Sequence, residues 1–165
     1  MQVHIRQIEL SDMLGFTTAA RVSRALHRGW AAPPVTPDAF AKYMSRFTPP
    51  TNYGFVVVSP DDAQLVGAIN ITNIIHGVFR SGYVGYFAFA GHERNGFMAQ
   101  GLRAVVRHAF SSLRLHRLEA NIQPENVASI ALARTCGFNK EGYSPAYLKI
   151  GGRWRDHERW AIVRR

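Results

Sequence analysis

The stretch that most limits what this chain can become runs from Tyr83 to Phe110. Tyr83 to Ala90 is rich in aromatic and β-branched residues, the composition of a mostly buried strand. Gly91-His92-Glu93-Arg94-Asn95-Gly96 breaks that strand and opens a helix, on which Leu102, Val105, Val106, Ala109 and Phe110 share one packed face. A loop that delivers the chain into a helix start leaves several main-chain N–H groups without partners and adds the positive end of the helix dipole. Such a mouth suits an anion, above all a phosphate or pyrophosphate. The same pattern also describes an ordinary strand–helix connection, so this segment alone leaves both readings open.

At 165 residues the chain is read as a single domain, 1–165, long enough to bury a sizeable core without disulfide staples. Its hydrophobic share of 47% and charged share of 19% are those of a soluble globular protein. Twenty Lys+Arg against eleven Asp+Glu leave a net charge of +9. That excess favours acidic partners, such as a polyphosphate cofactor, nucleic acid or a ribonucleoprotein surface, and equally describes a well-solvated basic surface. The one cysteine, Cys136, excludes an intrachain disulfide and a cysteine metal cluster, and no metal is expected. A polar start (Met1-Gln2-Val3-His4-Ile5-Arg6) and the lack of a membrane-length apolar run imply a cytoplasmic protein with no membrane partner.

Taken in order, Val3 to Glu9 alternates as a strand, and Leu10-Ser11-Asp12 caps a helix running to about Leu26. Arg21, Arg24 and Arg28 fall on one face across its end, with His27 beside them. Thr36-Pro37-Asp38 caps a second helix that ends near Phe47. Strands follow at Tyr53 to Val58, Gln64 to Ile75 and about Phe79 to Ala90. After the central loop and helix come a strand from Leu118 to Ile122 and a helix from about Asn126 to Thr135, with Gly137 at its C′ position. Phe138 to Ile150 and Trp154 to Val163 form a last hairpin across Gly151-Gly152. The order βααβββαβαββ predicts an α+β layer structure, with about four helices on one mixed, mostly antiparallel twisted sheet.

This chain resembles the GNAT superfamily of N-acetyltransferases, and within it the RimJ/RimL group of ribosomal-protein N-terminal acetyltransferases. The element order carries the first match, from about Val3 to Val163. Four segments carry the second: Asn73-Ile74-Ile75-His76-Gly77-Val78-Phe79, Gly96-Phe97-Met98, Asn126 to Phe138, and Gly142-Tyr143…Tyr147-Leu148…Gly152-Arg153-Trp154-Arg155-Asp156-His157. The resemblance implies an acetyl-CoA site where the third and fourth core strands splay apart. It places a bulge near Phe87-Ala88-Phe89, whose free main-chain groups hold the pantetheine arm and whose N–H groups near Ala88 and Phe89 face the thioester oxygen. The phosphate loop it implies is Glu93 to Met98, with Arg94, Asn95, Gly96, Phe97 and Met98 as cofactor contacts. Glu93 and Met98 depart from the superfamily's usual Gln/Arg-x-x-Gly-x-Gly/Ala, and Glu93 beside a pyrophosphate must point outward. Asn126 and Ser129 match helix positions that reach the pantetheine and the sulfur, although Asn126 also reads as a plain helix cap. The superfamily's thiolate-protonating tyrosine is absent, its place being Ala133; in the RimL-like pattern a serine takes that role, so the resemblance implies Ser129 as the general acid, with a small helix residue chosen for packing as the rival reading.

The group's glutamate base is replaced by Ala146. Glu119, on the same strand face as Asn121, is then the general-base position, and a solvent-facing strand glutamate is the rival reading. Trp30 and Tyr147 are the implied aromatic walls of the acceptor cleft, with core packing as the other reading of Tyr147. The acceptor implied by the resemblance is the N-terminal α-amine of a protein, possibly ribosomal, with no nucleic acid required; monomer and homodimer both stay open. The alternatives are a small amine (an antibiotic, polyamine or amino-acid conjugate) and a non-catalytic acetyl-CoA- or RNA-binding module of the same fold.

Overall fold

Local chemistry sets the element boundaries. The computed structural model describes residues 2–165. Strand β1 (His4–Gln7) is followed by a single 3-10 turn (Leu10–Asp12), whose Asp12 carboxylate accepts the Glu9 N–H at 2.8 Å and pairs with Arg6 at 2.6 Å. Helix α1 (Met13–Val22) then stops earlier than expected. The Ser23 hydroxyl donates to the Ala19 carbonyl at 2.6 Å and accepts the Ala90 N–H at 2.8 Å, which breaks the helix and starts a one-turn α2 (Arg24–His27). The described residues therefore hold five α-helices where about four were expected. His27 turns inward and is buried instead of joining the exposed face of Arg24 and Arg28. Thr36 caps α3 (Pro37–Met44) through the Ala39 N–H at 3.2 Å, with proline in the first turn as expected.

Strands β2 (Tyr53–Val58), β3 (Leu65–Ile75) and β4 (Ser81–Ala88) form a meander. Helix α4 (Phe97–Ser111), β5 (Arg117–Ile122), α5 (Val127–Thr135) and the hairpin β6 (Asn139–Ile150)–β7 (Arg153–Val163) complete the chain. Gly151 and Gly152 have φ of +58° and +78°, the left-handed pair that a tight hairpin needs. All seven strands lie in one sheet, ordered β1-β2-β3-β4-β5-β7-β6 and antiparallel except for β4 against β5.

The sheet is covered on both faces. On one, Leu102, Val105, Val106 and Ala109 of α4 and Ala133 of α5 pack on Val57, Ile69, Ile71, Leu118 and Trp160. On the other, Phe16 and Ala20 of α1 and Phe40 and Tyr43 of α3 pack on Val56, Ala68 and Phe89. Two glycines set the close approach of α4. A Cβ on Gly101 would sit 2.6 Å from Val57, and one on Gly67 would sit 2.5 Å from the Phe87 carbonyl and 2.6 Å from Met98 Sδ. Among the described residues no helix is long and apolar enough to cross a membrane.

Candidate active site

The seam between β4 and β5 closes at one end only. Ser81, Gly82 and Tyr83 pair with Arg117, Leu118 and Glu119, and beyond them Val84–Ala88 and Ala120–Ile122 run unpaired to each other. Each strand keeps its outer partner. The register of β4 on β3 is continuous from Tyr83 to Ala88 and extends to the Phe89 N–H, which donates to Val66 O at 2.7 Å. The bulge expected near Phe87-Ala88-Phe89 is thus absent from the β3 pairing. With Phe89 bonded toward β3, antiparallel alternation turns the N–H and C=O groups of Phe87 the same way and those of Tyr86 and Ala88 into the opening.

Two of the three expected strand contacts therefore change role. Phe87 and Phe89 turn their rings under α1, 6.0 and 5.1 Å from the Phe16 ring, and the Phe89 N–H is not free to meet an oxyanion. Ala88 remains, joined by Tyr86. The Ala88 carbonyl accepts His27 Nε2–H at 2.6 Å, which assigns the tautomer and leaves buried His27 Nδ1 without a partner. Ser23 and His27, one at each end of α2, fix the main chain just where β4 leaves β5.

At the mouth of α4, Gly96 has φ +78° and open space around its missing Cβ. Asn95 Oδ1 accepts the Phe97 N–H at 3.1 Å, so that expected donor is already taken. The N–H groups of Met98 and Ala99 occupy the positions that a helix start leaves without intrahelical acceptors. The Met98 side chain packs inward against Gly67, so only its main chain can face a ligand. Glu93 turns back on its own loop and accepts the Gly91 N–H at 2.8 Å. Main-chain N–H groups hold its carboxyl below the ordinary range, and Arg94 beside it is exposed. This donor set fits coenzyme A: free N–H groups and a helix dipole suit the pyrophosphate, and the open edge of β4 suits the amide arm.

The far wall of the opening is α5. Asn126 Oδ1 accepts the Ser129 N–H at 3.3 Å, which is the plain helix-cap role. The Tyr86 hydroxyl donates to the Ser129 carbonyl at 2.8 Å, and Ser129 Oγ donates to the Tyr86 oxygen at 3.1 Å. Burial pushes the Tyr86 phenol up to about 12. Tyr86 escaped the sequence reading; the one signal was a tyrosine on the core-facing phase of a strand, where its hydroxyl needs a partner. Cys136 is buried, its thiol pushed up by burial and 3.5 Å from the Ala99 carbonyl, as packing rather than nucleophilic chemistry requires.

The opposite sheet face carries a different set. Phe87 marks it, so the two-residue period of β4 adds Gly85 and Tyr83, and the pairing of Tyr83 with Glu119 and of Asn121 with Arg159 adds those residues. A Cβ on Gly85 would meet nothing within 4 Å. Glu119 does not stand free as a base: Arg117 Nε binds it at 2.9 Å, and the other arm of the same guanidinium binds Glu141. These two carboxylates raise the Arg117 pKa. Asn121 Oδ1 and Arg159 Nε, by contrast, are buried without partners. Gly142 allows this, because a Cβ there would run into the Arg159 guanidinium. Tyr147 reaches the same face through an irregularity of β6 between Ser144 and Leu148, and its ring lies 6.1 Å from that of buried His157. Asp156 clamps that irregularity, accepting the Ala146 N–H at 2.8 Å and the Tyr143 hydroxyl, which hold its carboxyl low. Trp30, partly exposed, sits on the loop after α2, which Gln123 Nε2 ties to β5 by donating to the Gly29 carbonyl at 3.0 Å. The open groove formed by Arg107, Phe110, Ser111 and Arg164 holds none of these residues.

A seven-stranded sheet with one parallel pair that parts beside a helix mouth defines an acyltransferase scaffold, and the comparisons agree. Residues 2–139 match the model of the acetyltransferase (GNAT) domain, and the chain belongs to that family, whose acyl donor is acetyl-CoA. It is 35% identical over 135 residues to the [ribosomal protein uS5]-alanine N-acetyltransferase of Escherichia coli, a match covering 82% of this chain and 66% of that protein. It is also 35% identical over 122 residues to the probable N-acetyltransferase YjcK of Bacillus subtilis, covering 74% and 67%. A spermidine N(1)-acetyltransferase of Vibrio cholerae is 28% identical over 105 residues, covering 62% of this chain and 60% of that protein. The chain thus matches about two thirds of the length of its first two relatives. Among solved structures, Mycobacterium smegmatis RimJ in complex with CoA-disulfide superposes with a TM-score of 0.89 at 26% identity, covering 98% of this chain and 81% of that one.

Proposed function

We propose that this chain transfers the acetyl group of acetyl-CoA to the N-terminal α-amine of a protein, with a ribosomal protein as the acceptor class. One observation carries the choice of acceptor. On the acceptor face the carboxylates are taken, Glu119 and Glu141 by Arg117, whereas among the described residues the unpartnered polar atoms, apart from His27 Nδ1 against the Phe87 ring, are Arg159 Nε and Asn121 Oδ1. A guanidinium N–H suits a peptide carbonyl, and an amide oxygen suits an amine N–H. A polyamine with several cations would need free carboxylates in their place. The names of the uS5-alanine relative and of RimJ point the same way.

Acetyl-CoA supplies the activated thioester. The chain's own groups hold and orient: main-chain N–H groups at Met98 and Ala99 for the phosphates, the β4 edge at Tyr86 and Ala88 for the arm, and the Ala88 N–H for the developing oxyanion. Ser129 stands as the hydrogen-bond donor to the leaving sulfur. An α-amine titrates near about 8, against about 10.4 for a lysine side chain, so it reaches the neutral, attacking form with the least help. That suits a cleft whose two glutamates, Glu119 and Glu141, are both ion-paired. The test is release of free thiol from acetyl-CoA against a panel of N-terminal peptides and a panel of small amines including spermidine. Turnover is expected with the peptides, and turnover confined to the small amines would overturn the proposal.

A further inference from the structure

The family's tyrosine on the α5 helix is missing here, since its place is Ala133, yet a phenol stands beside Ser129 all the same. It comes from the opposite wall. We infer that Tyr86 is the positioning residue for Ser129, reaching across the parted seam from β4 to α5 and fixing the serine oxygen where it meets the departing sulfur. The inference rests on the reading that Ser129 serves the leaving group.

Three observations carry it. The contact is doubled: the phenol donates to the Ser129 carbonyl at 2.8 Å and accepts from Ser129 Oγ at 3.1 Å, so the residue is gripped by main chain and side chain together. The contact also spans the opening itself, between strand residues unpaired to β5 and the first turn of α5. Finally, the Tyr86 ring packs against the core cluster of α4 and α5, so the hydroxyl is held by a rigid body. Both hydroxyl hydrogens are rotors. Turned the other way, the phenol donates to Ser129 Oγ, and the serine hydrogen is released toward the seam while its oxygen stays in place. Burial keeps the phenol protonated, and therefore a donor, throughout the neutral range.

The experiment titrates the thiol of bound CoA by its thiolate absorbance, against the complex with desulfo-CoA, in wild type, Tyr86→Phe, Ser129→Ala and the double variant. It needs no acceptor, and the one cysteine of the chain is buried. A hydrogen bond from Ser129 stabilises the thiolate and lowers the thiol pKa. Each single variant is expected to raise it by about one unit, a tenfold loss of thiolate stabilisation, and the double variant by no more than either single one. CoA affinity and unfolding temperature serve as fold controls, because Tyr86→Phe keeps the packed ring. If Ser129→Ala raises the value and Tyr86→Phe does not, the Tyr86 inference fails and the Ser129 reading stands. Additive shifts in the double variant would also overturn it, because the phenol would then act independently. No shift in Ser129→Ala would remove the Ser129 reading and this inference together.

Discussion

The two faces of the sheet offer different kinds of groups to a ligand. On the α4–α5 face the free groups are mostly main chain: the edge of β4, the amides at the start of α4, and an open glycine at φ +78°. On the α1–α3 face they are side chains, Tyr83, Glu119, Asn121, Tyr147 and Arg159, brought together from four strands. A main-chain site needs only the right turn and the right gap, so the side chains of Glu93 and Met98, which turn away from the helix mouth, need not disturb it. A side-chain site changes with each substitution. The cofactor should therefore be the constant of this scaffold and the acceptor its variable, and substitutions on the two faces should separate.

The largest expected effect is at the helix mouth. Gly96→Glu puts a carboxylate and a Cβ at a left-handed position beside the phosphate amides, and CoA affinity should fall about 50-fold, roughly 2–3 kcal/mol, by calorimetry on the folded variant. Next is Gly67→Ala, whose Cβ meets a carbonyl and Met98 on the same face. Denaturant unfolding should show a loss of about 2 kcal/mol. On the other face, Arg159→Leu should raise the acceptor KM about tenfold while CoA affinity stays unchanged, a loss of about 1.4 kcal/mol that steady-state kinetics and calorimetry together resolve. Equal losses of both affinities would erase the distinction between the faces.

The smallest effect lies outside both. Arg6 and the Glu9 N–H hold Asp12 below its ordinary value. A carboxylate with a lowered folded pKa stabilises above its unfolded value, about 3.9, and that contribution disappears as pH falls through the folded one. Asp12→Asn should cost about 1 kcal/mol at neutral pH, and that cost should shrink as pH falls below about 3.9 and disappear once pH is under the lowered folded value, read from unfolding midpoints across pH.

What was legible follows the same division. Element order, the βα mouth at Gly96 and the final hairpin at Gly151-Gly152 were all readable, because turn residues and apolar periodicity are local. The broken first helix was not, because Ser23 is an acceptable helix residue until Ala90, far along the chain, donates to it. The bulge near Phe87-Ala88-Phe89 failed for a related reason. Pairing to β3 and the aromatic cluster under α1 settle which way those residues turn, and both are tertiary. The place of Ser129 on α5 was readable from the helix pattern, but its hydrogen-bond partner Tyr86 was hidden in an ordinary strand. Glu119 was placed on the right face, whereas its commitment to Arg117 could not be read from spacing. Arg159 left one trace, the glycine at Gly142 that makes room for it.

The most direct measurement is an amide NMR titration of the chain with CoA. If coenzyme A lies along the parted seam and against the mouth of α4, saturating CoA should shift Tyr86, Ala88, Gly96, Met98, Ala99 and Ser129 together and leave Arg107 and Arg164 unmoved. Binding that leaves Ala88, Met98 and Ala99 in place while shifting the groove at Arg107 and Arg164 would contradict the account.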